Sequence, residues 1–272
     1  MAEVRSIVSV AAGLETPALS VAKEPPDGTI EQGDYELRFA PRSEELDAIL
    51  RLRFNVFNLE LGEGLEESFA TGRDEDLFDS LCHHLLVVER SSKAIVGTYR
   101  MLTQEMLDAS GFYSAAEFRL DQLPPSILGD GVEVGRACIV REHRNRKVLF
   151  LLWRGLARYV SHFDKRYLFG CCSITSQRPE EGIVLHEQLR ERGLLHPELH
   201  VDPVAGFECR CAQSDLDACS AVEVPRLFET YLRYGGLVCG WPAIDRRFKT
   251  IDFLVLLDVQ SLDSRTWNFF FD

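Results

Sequence analysis

Four basic residues stand between a strand-like run and a predicted helix. Arg141, Arg144, Arg146 and Lys147 follow the apolar run VEVGRACIV and come just before a helical periodicity that starts at Val148. A helix N-terminus offers free N–H groups and the positive end of the helix dipole, so basic residues there suit a phosphate group. An ordinary solvated turn would have the same composition, and the turn alone leaves both interpretations open.

Two charged residues lie inside the preceding strand, on either side of a glycine. On an undistorted strand, Glu133 and Arg136 would point to opposite faces because side chains alternate with a period of two. Gly135 permits a bulge, and one extra residue would bring both side chains onto one face and free backbone N–H groups beside them. The pair then either takes part in chemistry or forms a partly buried ion pair that closes the sheet.

One long helix and two strands must position these residues. Apolar residues recur at steps of three and four through the helix: Val148, Leu151, Leu152, Leu156, Tyr159, Val160 and Phe163. The flanking runs GVEVGRACIV and YLFGCCSI are too apolar for surface strands, which indicates interior strands of a sheet. A strand, turn, helix and strand of this size favour a parallel crossover.

The rest of the chain supplies further strands and helices. YELRFA alternates like a strand from Tyr35, a helix with Ser43 as its N-cap follows, and CHHLLVVER with AIVGTYRMLT predicts a hairpin. The sequence therefore predicts one α/β (α+β) domain over residues 35–272, with a mixed central sheet flanked by helices. Residues 1–34 are expected to form a flexible leader, with a short membrane-touching helix near Ile7 and Val8 as the alternative.

Charge and hydropathy exclude two classes of protein. A net charge of −13 over 272 residues argues against a general nucleic-acid-binding protein, which needs a broad basic face. An apolar fraction of 46% can fill a core, yet no run of about 18 uninterrupted apolar residues occurs that would span a membrane. We therefore expect a cytoplasmic protein, with peripheral contact to the inner face of the membrane as an open alternative.

The eight cysteines favour a reduced protein. Cys82, Cys138 and Cys239 lie in strand-like runs, where reduced cysteines pack as small hydrophobes. Cys209, Cys211 and Cys219 cluster in sequence, but a C-x-C pattern without a second pair or histidine partners is a weak zinc signal. No metal site is expected from this pattern.

The order of elements and several local motifs resemble a known group of enzymes. Strand, helix, long loop, hairpin, strand with basic turn, long helix and strand is the order of the GNAT acyltransferase fold. More narrowly, the sequence is similar to the bacterial ornithine acyl-carrier-protein N-acyltransferases, which make lyso-ornithine lipid; the matching motifs are RFNVFNLELG, DEDLFD, IVGTYRML, VEVGRACIVREHRN, LLWRGLARY, YLFGCCSI and GWPAIDRRFKTIDFLVLLD. These motifs spread over residues 51–258. The resemblance implies a GNAT-like fold with a C-terminal elaboration.

Related N-acyl amino acid synthases and acyl-homoserine-lactone synthases share the earlier half of the pattern. In the lactone synthases, a helix arginine, a D-x-x-D pair, a strand arginine and an E-x-x-R pair form an ionic cluster. This sequence offers, in the same order, Arg51 or Arg53, Asp76, Asp79, Arg100, Glu133 and Arg136. The chain is longer at its C-terminal end and lacks their tryptophan after the first helix, so an adenosylmethionine substrate is not expected.

The resemblance implies direct transfer of an acyl group from a thioester to an amine. Such a reaction needs a neutral amine, a proton acceptor and donors for the developing oxyanion, but no covalent nucleophile. Glu133, Gly135 and Arg136 would be the catalytic residues, with Glu133 accepting the amine proton and N–H groups from Gly135 to Ala137 holding the thioester oxygen. Asp76 and Asp79 would suit a cationic acceptor, Arg100 its α-carboxylate, and Arg53 would complete the acceptor site.

The donor would be the phosphopantetheine arm of acyl carrier protein, threaded between splayed strands with its phosphate on the basic turn. Coenzyme A would satisfy the same site, and no permanently bound cofactor is implied. RNRK supplies basic residues where the superfamily usually has glycines. Donor-binding residues would be Ala137, Cys138, Ile139, Arg141, Arg144, Arg146 and Lys147. YLFGCCSI with Phe54, Phe57 and Trp153 would line an acyl groove, although such residues are also common in plain cores.

The activity implied is transfer of a long-chain 3-hydroxy fatty acyl group from acyl carrier protein to the α-amine of an amino acid, with ornithine favoured. A neutral acceptor such as glutamine or glycine stays open. Synthesis of N-acyl amino acid or acyl-homoserine-lactone signals is the enzymatic alternative. A GNAT-like module that binds acyl carrier protein or lipid without catalysis is the alternative from another class.

Overall fold

The structure, a computed structural model, describes residues 24–40 and 45–271. The predicted N-cap Ser43 and the first 23 residues of the predicted leader lie outside these ranges. No helix of the described residues combines the length and the apolar character needed to cross a membrane.

The described strands form one sheet. Its order is β1-β2-β3-β4-β5-β6-β9-β7, with β8 also paired to β9. The strands are β1 (Ile30–Gln32), β2 (Tyr35–Phe39), β3 (His83–Glu89), β4 (Ile95–Thr103), β5 (Gly131–Ile139), β6 (Tyr167–Ile174), β7 (Leu237–Val238), β8 (Ala243–Asp245) and β9 (Thr250–Asp258). β5 and β6 are parallel, and the other pairs are antiparallel. The mixed sheet, the β3–β4 hairpin and the parallel crossover are therefore confirmed.

Helices and short turns flank the sheet. The helices are α1 (Leu46–Phe54), α2 (Ser68–Thr71), α3 (Pro125–Gly129), α4 (Arg146–Phe163), α5 (Pro179–Glu191), α6 (Gln213–Ala218), α7 (Arg226–Arg233) and α8 (Ser264–Phe271). α1 continues as a π-helical segment over Asn55–Leu61, and a 3₁₀ turn over Tyr113–Ala116 is hydrogen-bonded to the side chain of Glu133 in β5. α8 was not predicted from the sequence.

The long helix α4 forms because an apolar stripe and an N-cap coincide. Val148, Leu151, Leu152, Leu156, Tyr159 and Val160 are all buried, as their spacing predicts. Asn145 caps the first turn: its side-chain oxygen accepts the N–H groups of Lys147 at 2.9 Å and Val148 at 3.1 Å. The helix therefore starts at the basic turn, where it was expected.

The chain upstream of Tyr35 differs from the prediction. β1 pairs with β2 in a hairpin, and the carbonyl oxygens of Glu24 and Asp27 accept hydrogen bonds from His162 and Arg158 of α4. Residues 24–34 thus contact the helix that follows the basic turn. The predicted boundary of the flexible leader at residue 34 falls inside this hairpin, because the alternation of a three-residue strand is too short to read from sequence.

Candidate active site

The parallel strands β5 and β6 separate part-way along their length. Their register runs from Gly131 opposite Tyr167 to Glu133 opposite Phe169 and then ends. Beyond that point, β5 pairs only with β4, and β6 pairs with β9. A cavity of about 890 Å³ occupies the space between them, lined by both strands and by the N-terminal turns of α4 and α7.

A β-bulge shapes one wall of this cavity. Thr98 faces Cys138 and Arg100 faces Gly135, so two residues of β5 stand opposite one residue of β4. The two bulge residues are Arg136 and Ala137, and Arg136 has a positive φ of 49°. The bulge was predicted, but its left-handed residue is the arginine and not Gly135. A Cβ atom at position 135 would meet nothing within 4 Å, so this glycine leaves space at the cavity wall.

Arg53 lies at the centre of a buried ionic cluster. Its guanidinium donates to Asp74 at 2.7 Å and to Asp79 at 2.6 Å, and its side chain is fully buried. The sequence left Arg51 and Arg53 as alternatives, and Arg53 takes this position while Arg51 pairs with Asp47 at the surface. Burial raises the pKa of Asp74, but Arg136 and Arg53 outweigh it and hold that pKa below its usual range.

Two further arginines complete the cluster. Arg100 donates through Nη1 to Asp76 at 2.6 Å and to Asp79 at 3.0 Å. Arg136 binds Asp74 at 3.2 Å and Asp76 at 3.1 Å. Its guanidinium carbon lies 4.7 Å from the Tyr113 ring centroid and 4.3 Å from that of Phe248. Arg53, Arg100 and Arg136 are thus balanced by Asp74, Asp76 and Asp79.

The aspartates of this cluster are turned toward the arginines. Sequence reasoning assigned Asp76 and Asp79 to the acceptor, whereas the structure uses their oxygens to hold Arg53, Arg100 and Arg136. Arg100 lines the cavity, and its Nε and Nη2 have no hydrogen bond to any described residue. Asp74 was missed, although it stands two residues before Asp76 in the motif DEDLFD.

Glu133 belongs to the cavity wall but not to the ionic cluster. Its Oε2 accepts the N–H of Tyr113 at 2.8 Å, and its Oε1 accepts the N–H and the hydroxyl of Ser114 at 2.8 and 2.5 Å. Burial raises its pKa, although the Ser114 and Tyr113 donors act in the opposite direction. Glu133 and Arg136 both line the cavity, and Tyr113 contacts both: its ring lies on Arg136 and its backbone N–H donates to Glu133. The expected alternative of a direct ion pair between them is absent from the described residues.

A second carboxyl group of the cavity was missed by sequence reasoning. Glu63 lines the cavity, accepts the Thr175 hydroxyl and is 7% exposed. Burial raises its pKa to about 7. The signal in the sequence was its position between Gly62 and Gly64, which both have positive φ and allow the chain after the π-helical segment to turn Glu63 inward.

A group of three buried carboxyls lies beside the cavity. The side-chain oxygens of Glu117, Asp245 and Asp252 are all within 4.8 Å of one another, and Asp252 lines the cavity. Asp252 also could have been recognised, because it is an acidic residue inside the apolar run TIDFLVLL and buried carboxylates are rare. Glu117 carries no comparable signal.

The basic turn lies at the solvent-exposed edge of the cavity. Arg144 forms a two-pronged ion pair with Glu60, at 2.7 and 2.9 Å, and Arg141 binds the same carboxylate at 3.2 Å. Arg146 lines the cavity and is exposed, and among the described residues no carboxylate pairs with it. Lys147 lies 3.5 Å from Asp34 and does not line the cavity.

The remaining donor-site residues divide between cavity and core. Ala137, Cys138 and Ile139 line the cavity, as do Phe57 and residues of β6 from Leu168 to Ser173. Phe54 instead packs edge-on against Phe69. Trp153 does not line the cavity and packs against Tyr231, Tyr234 and Phe270. The predicted acyl groove therefore excludes Phe54 and Trp153, which serve packing.

The cavity combines the parts that acyl transfer to an amine requires. It has an apolar interior, backbone N–H groups at a bulge, a carboxyl of raised pKa, an arginine with unused donors, and cations at its solvent edge. No side chain in this set needs to act as a covalent nucleophile.

Comparison with known proteins gives matches over most of the chain. A protein family described as Acetyltransferase (GNAT) domain matches residues 52–154. An L-ornithine N(alpha)-acyltransferase of Agrobacterium fabrum (strain C58) is 33% identical, over 86% of this chain and 84% of that protein. Another from Rhizobium meliloti (strain 1021) is 30% identical, over 87% of this chain and 84% of that protein. Among solved structures, FeeM, an N-acyl amino acid synthase from uncultured soil microbes, has 12% identity and a TM-score of 0.47, covering 84% of this chain and 92% of that one.

Proposed function

We infer that this chain, which belongs to the family of L-ornithine N(alpha)-acyltransferases, moves a long-chain 3-hydroxy fatty acyl group from acyl carrier protein to the α-amine of ornithine. The product is a lyso-aminolipid. The observation that carries the proposal is the cavity between the separated halves of β5 and β6, which has the β5 bulge in its wall and the basic turn at its edge.

The reaction is a direct aminolysis. The neutral α-amine attacks the thioester carbonyl and forms a C–N bond, and the carbonyl oxygen becomes an oxyanion. Backbone N–H groups beside Gly135, at Arg136 and Ala137, which the bulge takes out of regular pairing, donate to that oxygen. The tetrahedral intermediate then breaks its C–S bond, the nitrogen loses a proton to a cavity carboxylate, and the thiolate leaves and takes up a proton.

Of the two carboxyl groups, Glu63 has the pKa better suited to accept the proton. A general base works best when its pKa lies near the working pH, and burial places the pKa of Glu63 at about 7. The oxygens of Glu133 are held by three donors from Tyr113 and Ser114. We therefore assign Glu63, and not Glu133, as the acceptor of the amine proton. Glu133 positions the 113–116 turn.

Arg100 supplies the α-carboxylate site of the acceptor. Its Nε and Nη2 face no described acceptor, and guanidinium pairs well with carboxylate. Asp76 and Asp79 hold Arg100 through Nη1, and Arg53 holds Asp79. These three residues, assigned to the acceptor from the sequence, support its binding site through Arg100.

The donor enters at the basic turn. The apolar cavity takes the acyl chain and the phosphopantetheine arm, and the phosphate meets the N-terminal turn of α4 beside Arg144 and Arg146. A local basic edge on a protein of net charge −13 suits the acidic surface of a carrier protein. Coenzyme A carries the same arm and is the competing donor.

The test is to incubate the full chain with 3-hydroxyacyl carrier protein or 3-hydroxyacyl coenzyme A and a panel of amino acids, and to identify products by mass. We expect N-acyl-ornithine, formed faster from the carrier protein. A lactone product from adenosylmethionine, or no product with any amino acid and either donor, would refute the proposal.

A further inference from the structure

A trio of acidic residues next to the cavity has no basic partner in the part of the chain that the structure describes. Oxygens of Glu117, Asp245 and Asp252 lie within 4.8 Å of one another, and all three side chains are buried. None of the three forms an ion pair with a described arginine, lysine or histidine. Arg136, whose charge acts on Glu117, is already bound to Asp74 and Asp76. Buried like charges without a counter-ion are costly, so this group is built for a cation or retains protons in its absence.

Some carboxylate oxygens of the trio accept hydrogen bonds from the protein, and one oxygen has no partner among the described residues. Asp252 accepts the hydroxyls of Ser173 and Thr250, and Asp245 Oδ1 accepts two backbone N–H groups, from Arg247 and Phe248. Oε2 of Glu117 is buried without a hydrogen-bond partner among the described residues, and Glu117 as a whole is only 3% exposed. An unpartnered oxygen at this depth normally costs stability, which indicates a missing donor.

The trio is continuous with the reacting part of the cavity. Asp252 lines the cavity, and its charge raises the pKa of Glu63, so the two carboxyls are near neighbours. Burial, followed by the charge of Asp252, also raises the pKa of Glu117. An acceptor with its α-amine at Glu63 and its α-carboxylate at Arg100 would therefore extend its side chain toward the trio.

We propose that Glu117, Asp245 and Asp252 bind the side-chain ammonium of a diamino acid acceptor and so determine its selection over neutral amino acids. The inference rests on the proposed function and names the residues that recognise its acceptor. A primary ammonium has three N–H donors, one for each carboxylate of the trio. Magnesium and calcium ions instead require about six or more oxygen ligands, and three oxygens of these carboxylates already accept hydroxyl or backbone donors.

The experiment compares L-ornithine with L-norvaline, which has the same carbon chain without the side-chain amine. We expect wild-type kcat/KM to favour ornithine by about 10- to 100-fold, the loss typical of a charge-assisted contact. Glu117→Gln and Asp252→Asn should lower kcat/KM for ornithine about tenfold or more relative to kcat/KM for norvaline, so that the ratio of the two falls toward one. Asp258→Asn is the matched control, because Asp258 is on the same strand but pairs with Arg166 outside the cavity.

Binding separates this inference from the proposed function. Calorimetry with ornithine and norvaline needs no donor and no turnover, and it also reports on wild-type protein if a variant does not fold. Tighter binding of ornithine that Glu117→Gln abolishes supports the trio even if no acyl transfer is found. Equal binding and equal turnover of the two amino acids by the wild type would overturn the inference. The inference would also be overturned if the folded variants kept the wild-type ratio of kcat/KM for ornithine to kcat/KM for norvaline, even where acyl transfer to ornithine is confirmed.

Discussion

Glu133 Oε1 accepts both the backbone N–H and the side-chain hydroxyl of Ser114, at 2.8 and 2.5 Å. The same carboxylate accepts the N–H of Tyr113 through its other oxygen. This ties the 113–116 turn to β5, and the turn in turn carries Tyr113 against Arg136 and leads into Glu117. One strand carboxylate thus fixes elements on two sides of the cavity.

Glu133→Gln should therefore destabilise the protein and impair turnover together. A glutamine retains one acceptor oxygen and places an amide donor against the buried N–H groups, which we expect to cost about 1–3 kcal/mol of unfolding free energy. Turnover should fall on the order of a hundredfold, because the turn and the Arg136 contact shift. Urea unfolding and single-turnover kinetics measure the two effects. Ser114→Ala removes only the hydroxyl donor and serves as the milder control; a stable, fully active Glu133→Gln protein would contradict the role.

Glu63 gives the reaction a specific pH dependence. Below about pH 7 two groups must lose protons, the α-amine and Glu63, so log kcat/KM should rise more steeply there than above it. Glu63→Gln should lose this steeper part and lower kcat. Glu67→Gln, an exposed carboxylate in the same loop that pairs with Arg247, is the control. An unchanged profile in Glu63→Gln would return proton acceptance to Glu133.

Glu63 should also make the free energy of unfolding decrease as the pH rises. Its pKa is higher in the folded chain than in the unfolded chain, so the folded state binds more protons between the ordinary carboxyl range and about pH 7. The contribution of Glu63 to the free energy of unfolding is therefore largest at low pH, and it decreases as the pH rises through that window. Urea titrations at several pH values should show a smaller fall in Glu63→Gln.

Breaking the ionic cluster should be far more costly than breaking a surface pair. Asp74 is fully buried between Arg53 and Arg136, so Asp74→Asn leaves two buried guanidinium groups short of a counter-charge. We expect a loss of about 3–5 kcal/mol in unfolding free energy. Asp47→Asn removes an exposed carboxylate that pairs with Arg51 and Arg73, and its urea midpoint should not change measurably. Equal midpoints for the two variants would mean that the cluster is not a stabilising unit.

The elements around the donor site could be read from the sequence because each has a local cause. The stripe from Val148 to Val160 defines α4, and the apolar runs define β5 and β6. The glycine in β5 signalled a bulge, but alternation alone does not say which residue takes the left-handed conformation. Arg136 takes it because its guanidinium is held by Asp74 and Asp76, which come from a distant loop.

The acceptor side could not be read in the same way. Glu117 and Asp252 are far apart in sequence: the β6–β9 register sets Asp252 opposite Ser173, and Glu117 reaches it from the end of the 113–116 turn. Asp76 and Asp79 were recognised by their spacing, but spacing does not reveal that their oxygens accept hydrogen bonds from arginines. Convergence of this kind depends on tertiary register and has no local periodicity.

Two glycines on neighbouring strands should respond differently to alanine. A Cβ at Gly170 would overlap the carbonyl oxygen of Val134, so Gly170→Ala should destabilise the β5–β6 junction. A Cβ at Gly135 meets nothing, and Gly135→Ala should fold with an unchanged melting temperature. Its methyl group would nevertheless project where the thioester lies, and we expect kcat/KM to fall about tenfold. A fully active Gly135→Ala protein would place the thioester elsewhere in the cavity.

Arg146 distinguishes carrier protein from coenzyme A as the donor. It is exposed at the cavity edge and no described carboxylate pairs with it, whereas Arg144 and Arg141 are bound to Glu60. Arg146→Glu should raise KM for acyl carrier protein about tenfold or more and leave kcat nearly unchanged, because it repels an acidic partner before chemistry begins.

The effect should weaken with added salt, since exposed charges are screened over about 8 Å at 0.15 M ionic strength. Arg190→Glu on α5, a residue that pairs with Glu187 and does not line the cavity, makes the same charge change elsewhere and is the matched control. If the two variants raise KM equally, the effect reflects net charge. If only acyl coenzyme A kinetics respond to Arg146→Glu, the basic turn binds the nucleotide of coenzyme A and not a carrier protein.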